Sequence, residues 1–212
     1  MATATGLLAV WMQIPESSEQ DLNEWYTREH LPERINCPGF QTAMRYRSIS
    51  GEPKYMALYD LDTPQVLYSE AYRALQTGAT EWTRRIGRSL ERNIRKEYEL
   101  LQSSGEAPPG PASSVVMVRV VGEPEDEVKQ WLSQRALPAI AAVRGVQRAR
   151  VYRTSAGDPG YLVYVELTGP DVYGSDAWKA AESKAGLEEM KPKLSEIAVN
   201  YASFIEAGKK SA

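Results

Sequence analysis

The stretch from Trp25 to Leu61 returns 106 positions later in worn form, and this register constrains the fold more than any other feature of the chain. Trp25 recurs as Trp131, Leu31-Pro32 as Leu137-Pro138, Gly39 as Gly145 and Gln41 as Gln147. Tyr46-Arg47 recur as Tyr152-Arg153, Gly51 as Gly157, Pro53 as Pro159, Tyr55 as Tyr161 and Pro64 as Pro170. An ungapped register over about forty positions reads as a tandem duplication of one supersecondary unit. The copies part at the polar positions of the first helix. His30, the only histidine, corresponds to Ala136, Glu29 to Arg135 and Arg34 to Ile140.

Each copy carries the same order of signals. Residues 7–13 form a short apolar run without helical spacing, a buried strand, and its copy is 115–121. A helix is predicted over 21–35, with Leu22, Trp25, Tyr26, Glu29, His30 and Glu33 at spacings of three and four on one broad face. Pro32 and Pro138 are expected to bend or stop these helices near their ends. After Pro38-Gly39 come strands over 40–49 and 54–61, separated by Ser50-Gly51-Glu52-Pro53 turn chemistry. Tyr55, Ala57, Tyr59 and Leu61 alternate with Met56 and Leu58, so both faces of that strand are apolar. Helical segments over 65–75 and 80–89 and a strand over 93–101 complete a βαββαβ, ferredoxin-like unit. The second copy closes with a strand over 194–206, and residues 208–212 read as a frayed tail.

The expected fold class is therefore α+β, two ferredoxin-like βαββαβ repeats packed sheet to sheet as an intramolecular α/β barrel. Residues 1–102 form the first repeat, expected to be the active half; 103–114, rich in Ser, Pro and Gly, a linker; and 115–212 a second, mainly structural repeat. A net charge of −3 with no Lys/Arg cluster argues against nucleic acid or an anionic membrane as partner. No apolar run approaches the roughly 18 residues of a membrane span. The first residues lack the basic start of a signal peptide, and the single Cys37 fits a reducing cytoplasm.

The W-x-x-x-x-H-L-P of the first helix (Trp25, His30, Leu31, Pro32) is followed by Pro38-Gly39-Phe40, Arg45-Tyr46-Arg47 and the G-x-P-K-Y of Gly51 to Tyr55. In these motifs the chain resembles the dimeric α/β-barrel superfamily, particularly its EthD-like and stress-responsive-barrel members. The resemblance implies the fold above. For activity it implies a range: cofactor-free monooxygenases, cyclases, isomerases, dehydratases, lyases, heme enzymes and proteins of no known activity. It also implies that a histidine at the position of His30 stands near the pocket, in some enzymes as acid or base.

The residues themselves point to the same place. An imidazole titrates near neutrality and suits proton transfer. Tyr26 lies four residues before His30, and Glu33 and Arg34 lie three and four after, so a phenol, an imidazole, a carboxylate and a guanidinium converge at one helix end. The catalytic candidates are His30, Tyr26 and Glu29. The substrate-binding candidates are Arg45 for an anionic group, Arg34, and the aromatics Trp11, Tyr59 and Trp82 as walls for a small ring. One His and one Cys make no usual zinc set, and no Gly-rich phosphate fingerprint occurs, so no metal and no cofactor are expected. The function expected is cofactor-independent, His-mediated proton transfer on a small aromatic or cyclic oxygenated molecule, of lyase, dehydratase, isomerase or cyclase type. The alternatives are a cofactor-free monooxygenase of a phenol and a non-catalytic binding protein. The partner expected is that small molecule, with the chain a monomer holding an internal pseudo-dimer, or a further homodimer.

Overall fold

The structure, a computed structural model, describes residues 3–210. The first compact unit runs through Arg47, resumes over Glu52–Glu99 and takes in the chain end from Ile205; the second comprises Ser48–Gly51 and Leu100–Phe204. The units are thus not the two sequence halves expected from the repeat, because the last strand brings the chain end back to the first unit.

In the first unit β1 (Gly6–Gln13) leads into α1 (Glu19–Trp25), a π-helical turn (Tyr26–His30) and α2 (Leu31–Asn36). The strands β2 (Met44–Ser50) and β3 (Tyr55–Leu61), the helices α3 (Glu70–Thr77) and α4 (Glu81–Ser89), and β4 (Arg92–Gly105) follow. Antiparallel pairing of β1 with both β3 and β4, and of β2 with β3, gives the order β4-β1-β3-β2. The second unit repeats the plan: β5 (Ser114–Gly122), α5 (Glu125–Trp131), a π turn (Leu132–Ala136), α6 (Leu137–Ala141), β6 (Val146–Thr154), β7 (Tyr161–Leu167), α7 (Asp176–Ala185), α8 (Leu187–Met190) and β8 (Leu194–Ala207). Its order is β8-β5-β7-β6, the same arrangement. The fold is α+β, and the eight strands follow the order β1-β3-β2-β8-β5-β7-β6-β4 of a closed antiparallel barrel. Every residue of β3 and β7 is buried, as the doubly apolar pattern requires.

Local chemistry sets the boundaries. The Ser69, Thr80 and Ser175 hydroxyls accept from the backbone N–H of Tyr72, Thr83 and Trp178, and so cap α3, α4 and α7. Gly39 and Gly145, at matching repeat positions, have φ of +89° and +96°, and a Cβ on either would stand 2.5 Å from a methyl of Val66 or Val172. Only glycine meets both demands.

Four expectations are corrected. Pro32 and Pro138 do not end their helices. Each sits in the first turn of the helical segment after a π turn, closed by bonds from Leu31 N–H to the Tyr26 carbonyl and from Leu137 N–H to the Leu132 carbonyl. Proline has no N–H to give, so the widened turn that precedes it absorbs the missing bond. The strand expected from residue 40 begins at Met44, and Phe40 keeps only a single bridge to Leu61. The linker is shorter than 103–114, since β4 runs through Gly105 and β5 begins at Ser114. The tail is held at its start, where Gly208 N–H donates to the Ala43 carbonyl at 2.8 Å; Ser211 and Ala212 lie outside the described residues.

Candidate functional site

The π turn decides which side chains meet around His30. In an α-helix, residues five apart point about 140° away from each other. The wider turn brings them into line, and the Trp25 and His30 rings stack with centroids 4.1 Å apart and planes at 28°. Tyr26 meets His30 edge-on at 5.1 Å, and Tyr59, from β3, does so at 6.4 Å. Phe40 continues the chain of rings, 5.8 Å from Tyr59 and stacked 5.7 Å from Tyr72. The Arg34 guanidinium lies 5.2 Å from the Tyr72 centroid, which closes the circle one helical turn beyond His30. Tyr26, Tyr59, Phe40 and Tyr72 are all buried in the core of the first unit.

Within this circle the polar atoms are under-served. His30 keeps a partial opening, but its Nδ1 is enclosed and without a hydrogen-bond partner. Arg34 is 8% exposed, its Nη1 is likewise enclosed and unpartnered, and no carboxylate pairs with it among the described residues. The Tyr59 hydroxyl is buried and faces the Tyr26 hydroxyl, which it meets outside good hydrogen-bond geometry. An enclosed polar atom without a partner loses its hydration and gains nothing in return, so such atoms are costly unless a ligand uses them.

The electrostatics follow from this geometry. Burial, then the charges of Arg34 and Arg45, push the His30 pKa well below its ordinary value, so the ring is neutral at pH 7 and has a nitrogen lone pair to offer. Burial raises the Tyr26 hydroxyl to about 12 despite the charge of Arg45, and it donates to Met12 Sδ at 3.0 Å. Tyr59 is likewise raised well above its ordinary value, by burial first and then by the neighbouring Tyr26. Both phenols therefore stay protonated and act as hydrogen-bond donors or walls, not as bases.

The remaining candidates are placed elsewhere. Glu29 turns from His30 toward α4, where its Oε1 accepts from Trp25 Nε1 (3.0 Å), Thr80 Oγ1 (2.6 Å) and Thr83 Oγ1 (2.7 Å). Burial acts to raise its pKa, but these three donors outweigh it and the net shift is downward. Glu29 thus anchors the ring that stacks on His30. Arg45, expected as a free anion binder, is fully buried and engaged: Nη1 pairs with Glu206 at 2.6 Å, Nη2 donates to Asn23 at 3.0 Å, and the guanidinium covers the Tyr26 ring at 3.9 Å. Trp11 is buried among the β1 residues that alternate with Leu8, Val10 and Met12, so it stands on the sheet face away from His30. Trp82 packs against the first unit's core and donates to Asp21 at 2.8 Å, a clamp between α4 and α1. Glu206 was missed in the sequence because it lies 161 residues from Arg45. Phe40 and the closing of the circle by Tyr72 were missed because neither shares the helix period with His30. Among the described residues no group of three or more His, Cys, Asp or Glu could hold a metal ion, and no helix is long and apolar enough to cross a membrane.

No family model matches the chain, and no curated protein matches it by sequence. Solved structures do. An anthrone oxidase-like protein superposes with a TM-score of 0.64 at 12% identity, covering 98% of this chain and 94% of its own. A candidate monooxygenase from Fusobacterium nucleatum gives 0.65 at 10% identity over 99% and 96%. A variant of chlorite dismutase from Candidatus Nitrospira defluvii gives 0.61 at 12% identity over 96% and 92%. At these identities the likeness is one of fold.

Proposed function

We propose that this chain is a cofactor-independent enzyme in which His30 moves a proton on a small aromatic or cyclic oxygenated molecule. One observation carries the reading: a neutral, partly open imidazole stands one helical turn from a buried guanidinium that has no carboxylate of its own. An uncompensated buried cation disfavours imidazolium while the site is empty. An anionic substrate fragment reverses that balance, since it supplies the missing countercharge at the moment the proton moves.

The chemistry that uses this arrangement starts with proton abstraction. His30 takes a proton from an acidic C–H or O–H, and the electron pair left behind spreads into a carbonyl or ring as an enolate or phenolate. Arg34 stabilises that charge, and the Tyr59 hydroxyl has a proton to donate to the same oxygen. Imidazolium then returns its proton at a leaving group, as in a lyase or dehydratase, or at another carbon, as in an isomerase. Trp25, Tyr26 and Phe40 wall the site, and Glu29 positions Trp25. The W-x-x-x-x-H-L-P motif supports placing the chain with the EthD-like barrels, the 106-residue register supports a tandem duplication with its pseudo-dimer internal, and the single Cys37 fits the cytoplasm.

A second reading is a cofactor-free monooxygenase. The names of the anthrone oxidase-like and candidate monooxygenase neighbours favour it. There the same carbanion would give two electrons to dioxygen to form a carbon-bound hydroperoxide, and loss of the second proton on that carbon would supply the next electron pair, breaking the O–O bond to leave a carbonyl and release the other oxygen as water.

The test is solvent-proton exchange in D2O with a panel of phenols and cyclic ketones, followed by NMR and run both in air and without oxygen. Exchange or turnover that falls at least a hundredfold in His30→Ala and in Arg34→Met supports the reading, and oxygen dependence selects the second form. Full turnover in His30→Ala overturns both.

A further inference from the structure

The second unit has what the first lacks at the matching place. Four positions of the His30 circle, Tyr26, His30, Arg34 and Tyr59, correspond in the 106-residue register to Leu132, Ala136, Ile140 and Val165. Every exchange removes a polar group, and those at 132, 136 and 165 also remove a ring. The space they vacate is an apolar cavity of about 100 Å3 between β5, β7 and β8 on one side and α5–α7 on the other. Trp131, Ala136, Val163, Val165 and Trp178 line it.

One end of this cavity is aromatic and carries a polar handle. Tyr173 packs edge-on to Trp178 with centroids 5.1 Å apart and lies 4.9 Å from Tyr201. Glu182, half-buried in the lining, accepts from Trp178 Nε1 on Oε1 at 2.8 Å. Its Oε2 has no donor among the described residues. After burial, the charge of Glu182 is what pushes the Tyr173 hydroxyl upward, which places the carboxylate toward the same end. Ile197, 38% exposed, stands at the rim.

We propose that the second unit is a non-catalytic binding site for one small phenol. The ring lies among Trp131, Trp178 and Tyr173, and the hydroxyl donates to Glu182 Oε2. Size restricts the class: at about 100 Å3 the cavity is smaller than the roughly 150 Å3 apolar cavity that holds benzene, so a single ring fills it and its substituent reaches the open rim. The walls offer no cation to an acid, and the one acceptor is an anion, so a neutral ring with a donor fits and a carboxylate does not. The site needs no chemistry at His30, and the inference stands apart from the reading of the first unit.

Titration of the full-length chain with phenol, followed by the indole N–H of Trp178 and the methyls of Ala136 and Val165 in NMR, tests this. The expected result is saturable one-to-one binding that shifts these signals and leaves the His30 imidazole signals in place. Ala136→Leu, which fills the space, weakens binding at least tenfold. Glu182→Ala weakens phenol about tenfold but leaves toluene unchanged. Val165→Ile fills the opposite wall and replaces Ala136→Leu if that variant lowers the urea midpoint. No shift of the second unit's signals on the wild type, a shift confined to His30, or undiminished binding in a folded cavity-filling variant each overturns the proposal.

Discussion

Replacing Arg34 by Met stabilises the protein and disarms it. Arg34 is 8% exposed, has no carboxylate partner, and leaves Nη1 without a hydrogen bond. Its recorded compensations are the charge of the neighbouring Glu33, which makes no ion pair with it, and the Tyr72 ring at 5.2 Å, worth at most about 2 kcal/mol for a desolvated cation. Removing a charge of this kind from water costs several kcal/mol even after relaxation. Methionine keeps the apolar stem, fills a similar volume and carries no charge. The difference predicts a gain of about 1–3 kcal/mol, which at about 2 kcal/mol per molar urea raises the midpoint by roughly 0.5–1.5 M with an unchanged slope. A second readout is independent of stability. Because His30 is the only histidine, its imidazole carbon proton is a single resolved NMR signal. Arg34 is the largest cause after burial of the low His30 pKa, so that signal titrates at higher pH in Arg34→Met. A fall in stability of 1 kcal/mol or more, or a His30 titration that does not move, refutes the claim that this cation is uncompensated.

The remaining predictions concern protons and backbone. Since the folded state lowers the His30 pKa, the unfolded chain binds a proton that the folded chain refuses below about pH 6.5, and stability falls as pH drops. From pH 7.5 to 5.5 the wild type loses about 1 kcal/mol more than His30→Gln, read from paired urea curves; equal losses refute the shift. Glu29→Gln removes charge from an oxygen that takes three donors and costs about 1–2 kcal/mol above pH 4.5. Glu29 has a depressed pKa, so that difference shrinks as pH falls through its folded value, and a constant difference down to pH 3 counts against it. Gly39→Ala and Gly145→Ala each destabilise by about 1–3 kcal/mol, and either variant melting with the wild type refutes the shared steric reason.

The fold was legible because its evidence is periodic. Strand alternation in 54–61 and 161–167, the helix spacing from Leu22, and the recurrence of Gly39 as Gly145 each report local geometry that the structure keeps. The site was half legible for the same reason. Tyr26, His30 and Arg34 share the helix period, and all three meet. Trp25 stacks on His30 only through a π turn, which no 3.6-residue wheel displays. Arg45 and Arg34 look alike in sequence; what separates them is Glu206, supplied from the far end of the chain. The cavity in the second unit was invisible because a hollow is what side chains leave unfilled, and sequence patterns record only what is present.

The partner of Arg45 also bears on how the protein is made. A ribosome delivers the first unit's strands and helices long before Ile205–Ala207, the end of β8 that holds Glu206. Until those residues emerge, the Arg45 guanidinium lacks the carboxylate that pairs with it in the folded chain. Domains usually settle in the order of their synthesis; here the leading one waits for residues 205–207, and a chain stopped at Phe204 leaves Arg45 without its carboxylate.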